Sequence, residues 1–587
     1  MSRPTVYLGL AATLHDPALA IVTEAGEVVF AEAAERFLQD KRAYDAPPDH
    51  LLRTETLLAE HGLSDARRVA AISWSRSLLR RTRLLALLDW PGVGRLAERV
   101  LRRRDHLLWP LADSRTLLTS LASSVQQASV NLGWRGGDAP LERRYYDHHL
   151  THAANACFTS PFDEALCAVV DAFGEWGSSA CFHYRDGRLE RLSARGARGS
   201  GRRASLGSFY GMLCAFCGFD PLLGEEWKVM GLAAHAKPDP RLYALMRPLL
   251  AVEGLEVVSG VSDREYRARV ERLAGERRPA DAPPLDAAPL AASGQRVFEE
   301  VMHDLLRNLH ATGRSDRLAL AGGCALNSCC NGTLLASTPF RALHVPSAPA
   351  DDGNALGAAL LARAEDGGAP RPWREWGSPF LGSRPDPRSL DALARSGAFR
   401  RVEHLPGRVA EAAAELLAQG RIVGWMQGRA EFGPRALGHR SILADPRQKQ
   451  MRERVNRAVK FREDFRPLAP AILAEHGPDW FEDFVESPCM ERTLRFRPEA
   501  AARVPAVVHA DGTGRVQSVR PEWSPRFHAL LGHFHRHTGV PLLLNTSFNV
   551  MGRPIVHSVE DAIAVFATTD LDALVIEDHL LRKERCA

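Results

Sequence analysis

The chain of 587 residues is too long for one hydrophobic core, so two or more domains are expected. It is 45% hydrophobic and 25% charged, a globular balance that excludes a disordered or fibrous chain. A net charge of +4 over this length gives no electrostatic reason to expect a nucleic-acid partner.

No apolar run is long enough to span a bilayer and no leader-like pattern stands at Met1, so a cytoplasmic protein with no membrane partner is expected. The ten cysteines are scattered in apolar company, as buried thiols of a reducing compartment would be. Val6 to Leu10 and Ala18 to Thr23 have strand length and composition, and the polar turn between them carries His15 and Asp16. Ala25-Gly26 then turns the chain into a third strand, Glu27 to Ala31. Helical stretches follow. One, at about 76–135, opens with nine arginines between Arg76 and Arg104, spaced as the solvated face of an amphipathic helix or as a surface for an acidic partner.

The stretch DHHLTHAANACF, residues 147–158, starts a helix on which His148 and His152 stack one turn apart. Such a pair can offer two ring nitrogens to one metal ion, with His149 packing or bonding beside it. EALCAVVDAFGEWGSSACFHY ends a buried strand on Asp171 and turns at Gly174. The single Cys-x-x-Cys, Cys214 with Cys217, has no second pair at zinc-site spacing and reads as helix packing. ERRPADAPPLDAAPLAA, residues 276–292, reads as a surface loop.

Two further loops follow apolar strands. In AGGCALNSCCNG, residues 321–332, Gly322 and Gly323 would let backbone amides approach a phosphate, with Asn327 in the same loop. In APADDGNALGAAL, residues 348–360, Asp351, Asp352 and Gly353 precede a helix of small residues. Two halves of strand, hairpin and strand with acids at the strand ends suggest a duplicated actin-like α/β fold with a nucleotide cleft. His148, His152, Asp171 and Asp351 would form a mixed nitrogen–oxygen shell suited to Fe(II) or Mn(II), with Asp352 the alternative to its neighbour.

Gly367 to Asp386 is dense in proline and glycine and marks a boundary, giving a first domain over 1–366, a linker over 367–400 and a second α/β domain over 401–587. In the second, GRAEFGPRALGHRSILADPR (428–447) sets Arg429, Arg435, Arg440 and Arg447 around glycine and proline turns. VKFREDFRPLAPA adds Lys460, Arg462 and Arg466, VVHADGTGRVQSV adds Arg515, and LLLNTSFNVMGRPIV adds Asn545, Ser547 and Asn549. Guanidinium forks in tight turns between apolar strands suit a polyanion pocket better than a solvated helix face.

These residues resemble the O-carbamoyltransferases of antibiotic biosynthesis and nodulation-factor decoration. The similar stretches include GLAATLHDPALAIV, HHLTHAANACFTSPFDEALCAVVDAFGEWG, GEEWKVMGLAAHA, GGCALN, DDGNALGAAL, EFGPRALGHRSILADPR, FREDFRPLAPAIL and LLNTSFNVMGRPIV, in the family's order. The resemblance implies an actin-like (ASKHA) amino-terminal domain and a YrdC-like carboxy-terminal one. The second would make carbamoyl adenylate from carbamoyl phosphate and ATP with magnesium; the first would transfer the carbamoyl group to a hydroxyl of a small-molecule acceptor of antibiotic or glycoside type. Carried across, His148, His152, Asp171 and Asp351 would hold iron and His15 would be the base. Lys460 and Arg435 would be catalytic. Arg440, Arg466, Arg515, Asn545 and Asn549 would bind the phosphates in the second domain, and Gly322, Gly323, Asn327, Asp352 and Gly353 the nucleotide in the first.

The family pattern is broken near ACFTSPF, where this chain has small residues, and at GLAAHA; both concern the acceptor and leave the reaction untouched. A hydrogenase-maturation carbamoyltransferase would need four Cys-x-x-Cys pairs and the reverse domain order. A tRNA threonylcarbamoylation enzyme would need a basic RNA-binding face, and an actin-like ATPase scaffold would need neither the metal shell nor the Lys460 and Arg466 cluster. A homodimer is the default oligomer.

Overall fold

The computed structural model describes residues 3–78, 80, 123, 125–135, 141–193, 204–368, 378–395 and 402–583; nearly all of the arginine-rich 76–104 stretch lies outside them. The chain divides into two compact units, Met1–Ala34 with Arg42–Trp376, and Glu35–Lys41 with Gly377–Ala587. The first unit holds two five-stranded sheets of one topology. In the first sheet β1 (Thr5–Ala11), β2 (Ala18–Thr23) and β3 (Val28–Ala33) form an antiparallel meander, and β4 (Arg67–Ser73) and β5 (Glu142–Tyr146) continue it in parallel from β1, giving the order β3-β2-β1-β4-β5.

The second sheet repeats this plan. Its meander is β6 (Glu164–Val170), β7 (Ser179–Arg185) and β8 (Arg188–Arg191), and β11 (Arg317–Ala321) and β12 (Ala342–His344) extend it in parallel on the other side of β6. Between them a short hairpin pairs β9 (Ala251–Glu253) with β10 (Glu256–Val258). Two copies of one sheet order are the duplicated actin-like fold that the paired strand–hairpin–strand pattern predicts. β1 and β6 are buried along nearly their whole length, as central strands covered on both faces must be.

Two helices bring the site together, α1 (His148–Phe158) and α2 (Gly353–Glu365). They approach so closely that side chains are excluded at the crossing. A Cβ at Gly357 would lie 1.9 Å from the Thr151 carbonyl oxygen, and one at Gly9 of β1 would lie 1.8 Å from that of Ala355. This is why the 355–360 stretch is built of glycine, alanine and leucine. The expected loop over 276–292 ends earlier than its proline content suggests: Pro284–Ala287 is one 3-10 turn, and a 23-residue helix runs from Ala288 to His310. Pro289 sits in its first turn, where a missing N–H costs nothing.

The second unit is built on a nine-stranded mixed sheet. Its central strands, in spatial order, are β20 (Ala573–Ile576), β14 (Val423–Met426), β15 (Arg440–Ala444), β19 (Leu542–Ser547), β16 (Ala469–Leu473) and β18 (Thr513–Val519). Strands β13 (Val402–His404) and β21 (His579–Arg582) complete one edge, and β17 (Arg492–Arg495) the other. Trp425, Phe527, Phe534, Phe548 and Phe566 fill its core at under 2% exposure, which fixes the ends of the strands that carry the basic loops. Among the described residues no helix is long and apolar enough to cross a membrane.

Gly357→Ala is expected to destabilise the protein by about 1–3 kcal/mol despite alanine's higher helix propensity, because the added methyl has no room. Thermal unfolding of the two proteins checks this; a higher Tm in the variant would contradict the packing described.

Candidate active site

Helix α1 is capped by Asp147, whose side chain accepts the Leu150 N–H at 3.0 Å, so the helix begins at His148 and places His152 one turn on. Asp171 follows the last residue of β6, and Asp351 lies in the turn before α2. One donor atom from each of these four residues falls within 4.8 Å of all the others. His152 Nε2 is 3.2 Å from Asp171 Oδ2 and 3.3 Å from Asp351 Oδ1, and His148 Nε2 is 3.7 Å and 3.5 Å from the same atoms. Asp352 points elsewhere: its carboxylate accepts the Gly353 N–H at 3.0 Å and caps α2.

This donor set fits a divalent first-row metal ion. Metal–ligand bonds of about 2.0–2.2 Å separate neighbouring donors by roughly 3 to 3.5 Å, close to the spacings here. Asp171 Oδ2 is buried without a hydrogen-bond partner among the described residues. Burial alone would lower the His148 pKa, but Asp351 and Asp171 raise it to about 10. The buried Asp171 and the half-buried Asp351 carboxylates therefore create a field that asks for a cation. Asn354 places its amide nitrogen 3.1 Å from His152 Nε2 and 3.4 Å from His148 Nδ1, while its oxygen accepts the Thr151 hydroxyl at 3.0 Å. Trp74 stacks on the His148 ring, centroids 4.0 Å apart. Neither residue is marked by any spacing in the sequence.

His149 packs instead of ligating. A Cβ on Gly174 would lie 2.3 Å from its ring, and burial, with His148 next, holds the imidazole well below its ordinary pKa. His15 sits on the loop after β1, with Nδ1 2.9 Å from Asp16 Oδ2 and 3.9 Å from Asp351 Oδ2. The base candidate and the metal candidates thus share one site. Gly322 and Gly323 border it: a Cβ at the first, whose φ is +89°, would lie 2.2 Å from the Val170 oxygen, and one at the second would lie 3.1 Å from Asp171 Oδ1. Gly353 is pressed against the Ala348 carbonyl. Asn327 caps the helix Ser328–Ser337 and pairs with Gln295 at 3.0 and 3.1 Å.

In the second unit the chain from Val455 makes one π-helical turn that ends at Lys460. Lys460 Nζ is buried and donates to the Ser547 and Asn549 carbonyl oxygens at 2.7 and 2.8 Å and to the Ser547 hydroxyl at 3.1 Å. Asn456, fully buried, accepts from Arg462 Nε at 2.8 Å and donates to the Arg466 carbonyl at 3.1 Å. Burial, then Arg462, Arg466 and Lys41, push the Lys460 pKa well below its ordinary value, and burial, then Arg466 and Arg515, do the same to Arg462. Arg462 Nη2 is buried without a partner among the described residues. Arg466 pairs with Glu463 at 3.3 Å. Crowded, desolvated cations of this kind are stabilised by a bound polyanion.

The other basic-loop residues divide between surface and scaffold. Arg435 is half-buried in the turn after Pro434. Arg440 is fully buried and donates to the carbonyl oxygens of Gln427, His439, Ser383 and Gly428 at 2.8 to 3.1 Å, acting as a strut of the loop. Asn545 donates to the Ala436 carbonyl at 3.2 Å and to Gln517 at 2.8 Å. Glu431, which sequence reasoning did not single out, gathers the N–H groups of Leu437, His439 and Arg440 on one oxygen at 2.8 to 3.0 Å. Its only sequence signal is an acid isolated among glycine, proline and arginine.

Asn354→Ala is expected to weaken cobalt or iron affinity by about 10-fold while leaving the fold intact, because it removes the side chain packed against both imidazoles and loosens the positions of the rings. Competition with a chromophoric chelator measures this; unchanged affinity would show that the two rings are fixed without it.

Residues 138–360 match the model of the carbamoyltransferase amino terminus and 414–583 that of the carbamoyltransferase carboxy terminus. The chain is 35% identical over 504 residues to nodulation protein NolNO of Sinorhizobium fredii, covering 83% of this chain and 70% of that one. It is 36% identical over 464 residues to nodulation protein NolO of Bradyrhizobium diazoefficiens (74% and 79%), and 31% identical over 605 residues to nodulation protein U of Rhizobium tropici (98% and 95%). With an actin-like unit, a second α/β unit and similarity along most of its length, the chain belongs to the carbamoyltransferase family and is a transferase enzyme.

Proposed function

We propose that this enzyme is an ATP-dependent O-carbamoyltransferase acting in two steps, one per unit. The observation that carries the reading is the cluster of Lys460, Arg462 and Arg466, the two arginines tied together by Asn456 and Arg462 Nη2 left without a partner among the described residues, in a chain that also carries a base beside a metal-type shell. In the YrdC-like unit this cluster, with Arg435, holds carbamoyl phosphate and magnesium ATP. Carbamoyl phosphate gives carbamate and phosphate with water, and a carbamate oxygen attacks the α-phosphorus of ATP. Carbamoyl adenylate forms and pyrophosphate leaves. The cations spread the negative charge that builds on the phosphates.

In the actin-like unit His15 takes the proton of the acceptor hydroxyl. The acceptor oxygen attacks the carbamoyl carbon, the carbon–oxygen bond to phosphate breaks, and AMP leaves. Asp16 accepts from Nδ1 of His15, so Nε2 is the basic nitrogen. Iron, held by His148, His152, Asp171 and Asp351, would supply Lewis-acid polarisation. The acceptor is a small-molecule alcohol, a reading that the similarity to nodulation proteins supports.

Incubation with carbamoyl phosphate and ATP, with no acceptor, is expected to release pyrophosphate. Arg462→Met and Lys460→Ala should cut that release by at least about 100-fold, whereas His15→Ala should retain it. Wild-type release from a folded Arg462→Met protein would overturn the placement of the first step.

A further inference from the structure

The loop that carries His15 is held by a second loop, Arg42–Asp45, and both are built from left-handed backbone. Asp16, Arg42, Ala43 and Asp45 have φ of 55°, 62°, 40° and 55°, values that non-glycine residues seldom adopt. Strain concentrated in this way persists only where surrounding contacts over-determine it, and it clusters at functional sites. Here two backbone bonds join the loops: the Asp16 N–H donates to the Arg42 carbonyl at 2.8 Å, and the Asp45 N–H to the Leu14 carbonyl at 3.1 Å.

The Arg42 side chain completes the clamp. Its Nη2 lies 3.0 Å from Asp16 Oδ2, the same oxygen that faces His15 Nδ1 at 2.9 Å. Its Nη1 donates to the Pro221 carbonyl at 3.3 Å, and a Cβ on Gly224 would stand 3.2 Å from that nitrogen. The guanidinium is therefore seated from one side by the 221–224 turn and offers its other side to Asp16. Burial raises the Asp16 pKa, but Arg42 and then His15 bring it down to about 2. Tyr44 and Glu226 are the other ionisable groups that act on Arg42.

We propose that Arg42 is the positioning residue of the transfer base: it holds Asp16 against Nδ1 of His15, which fixes the ring and leaves Nε2 to receive the acceptor proton. This rests on the reading of His15 as the base. Arg42 itself touches no reacting atom. Lysine could keep the bond to Asp16 but cannot bridge to the Pro221 carbonyl at the same time, so it should restore only part of the function.

The test uses the full-length, metal-loaded enzyme with carbamoyl phosphate, ATP and N-acetylchitotetraose as the hydroxyl probe, comparing wild type, R42M, R42K and H15A. R42M should lower kcat for transfer by about 100-fold with the KM for the probe unchanged and metal content intact, and R42K should recover part of the loss. Wild-type kcat in R42M, or a rise in KM alone, overturns the inference. Wild-type kcat in H15A overturns the underlying reading of the base instead. A crystal structure of R42M gives a readout that does not depend on the probe: His15 and Asp16 separated supports the inference, and the pair retained at hydrogen-bonding distance overturns it.

Discussion

Three backbones meet in the first unit with no space for a methyl group between them, and the geometry of the His/Asp cluster follows from that crossing. Gly9 of β1 faces the Ala355 carbonyl of α2, Gly357 of α2 faces the Thr151 carbonyl of α1, and Gly353 faces the Ala348 carbonyl at the start of α2. A side chain at any of these positions would push α2 outward. Asp351, which lies two residues before α2, would then leave the His148 and His152 nitrogens that it now meets at 3.3 to 3.5 Å. Asn354, on the first turn of the same helix, would lose its bonds to both rings. Close packing is thus what assembles a four-donor shell from three separate segments.

The second unit solves a different problem, that of gathering positive charge. Like charges repel, so the cluster needs a scaffold stiff enough to hold it together. The π-turn ending at Lys460 and the amide of Asn456 supply that for Arg462 and Arg466. Glu431 and Arg440 do it for the basic loop, one by gathering N–H groups and the other by gathering carbonyls. Preorganised donors of this kind need no rearrangement when charge develops on a phosphate, which is the property the proposed first step would use.

Much of this was legible in the sequence because local rules suffice for it. The alternation and turn signals around Ala25-Gly26 placed the first three strands to within two residues, and the His148 and His152 spacing followed from helical geometry alone. Other features needed tertiary information. Asp351 and Asp352 are chemically identical in the sequence; only the cap bond of Asp352 to Gly353 separates their tasks. Trp74 and Arg42 act through partners distant in the chain. The proline-rich start of the Ala288–His310 helix looked like loop because proline's position in a first turn is not distinguishable from proline in a turn. That Glu35–Lys41 belongs to the second unit, inside a sequence stretch that otherwise builds the first, has no compositional mark.

The proposed reaction passes the carbamoyl group through a mixed anhydride with AMP. The most direct measurement is isotopic: carbamoyl phosphate labelled with heavy oxygen on the carbonyl is turned over with unlabelled ATP, and the AMP formed is weighed by mass spectrometry. Carbamate attacks the α-phosphorus through either of its two equivalent oxygens, and cleavage at the carbamoyl carbon leaves that oxygen on AMP, so label in about half of the AMP is the predicted result. AMP or ADP free of label, with the carbamoyl group nonetheless transferred, would contradict the adenylate and point to direct transfer from carbamoyl phosphate.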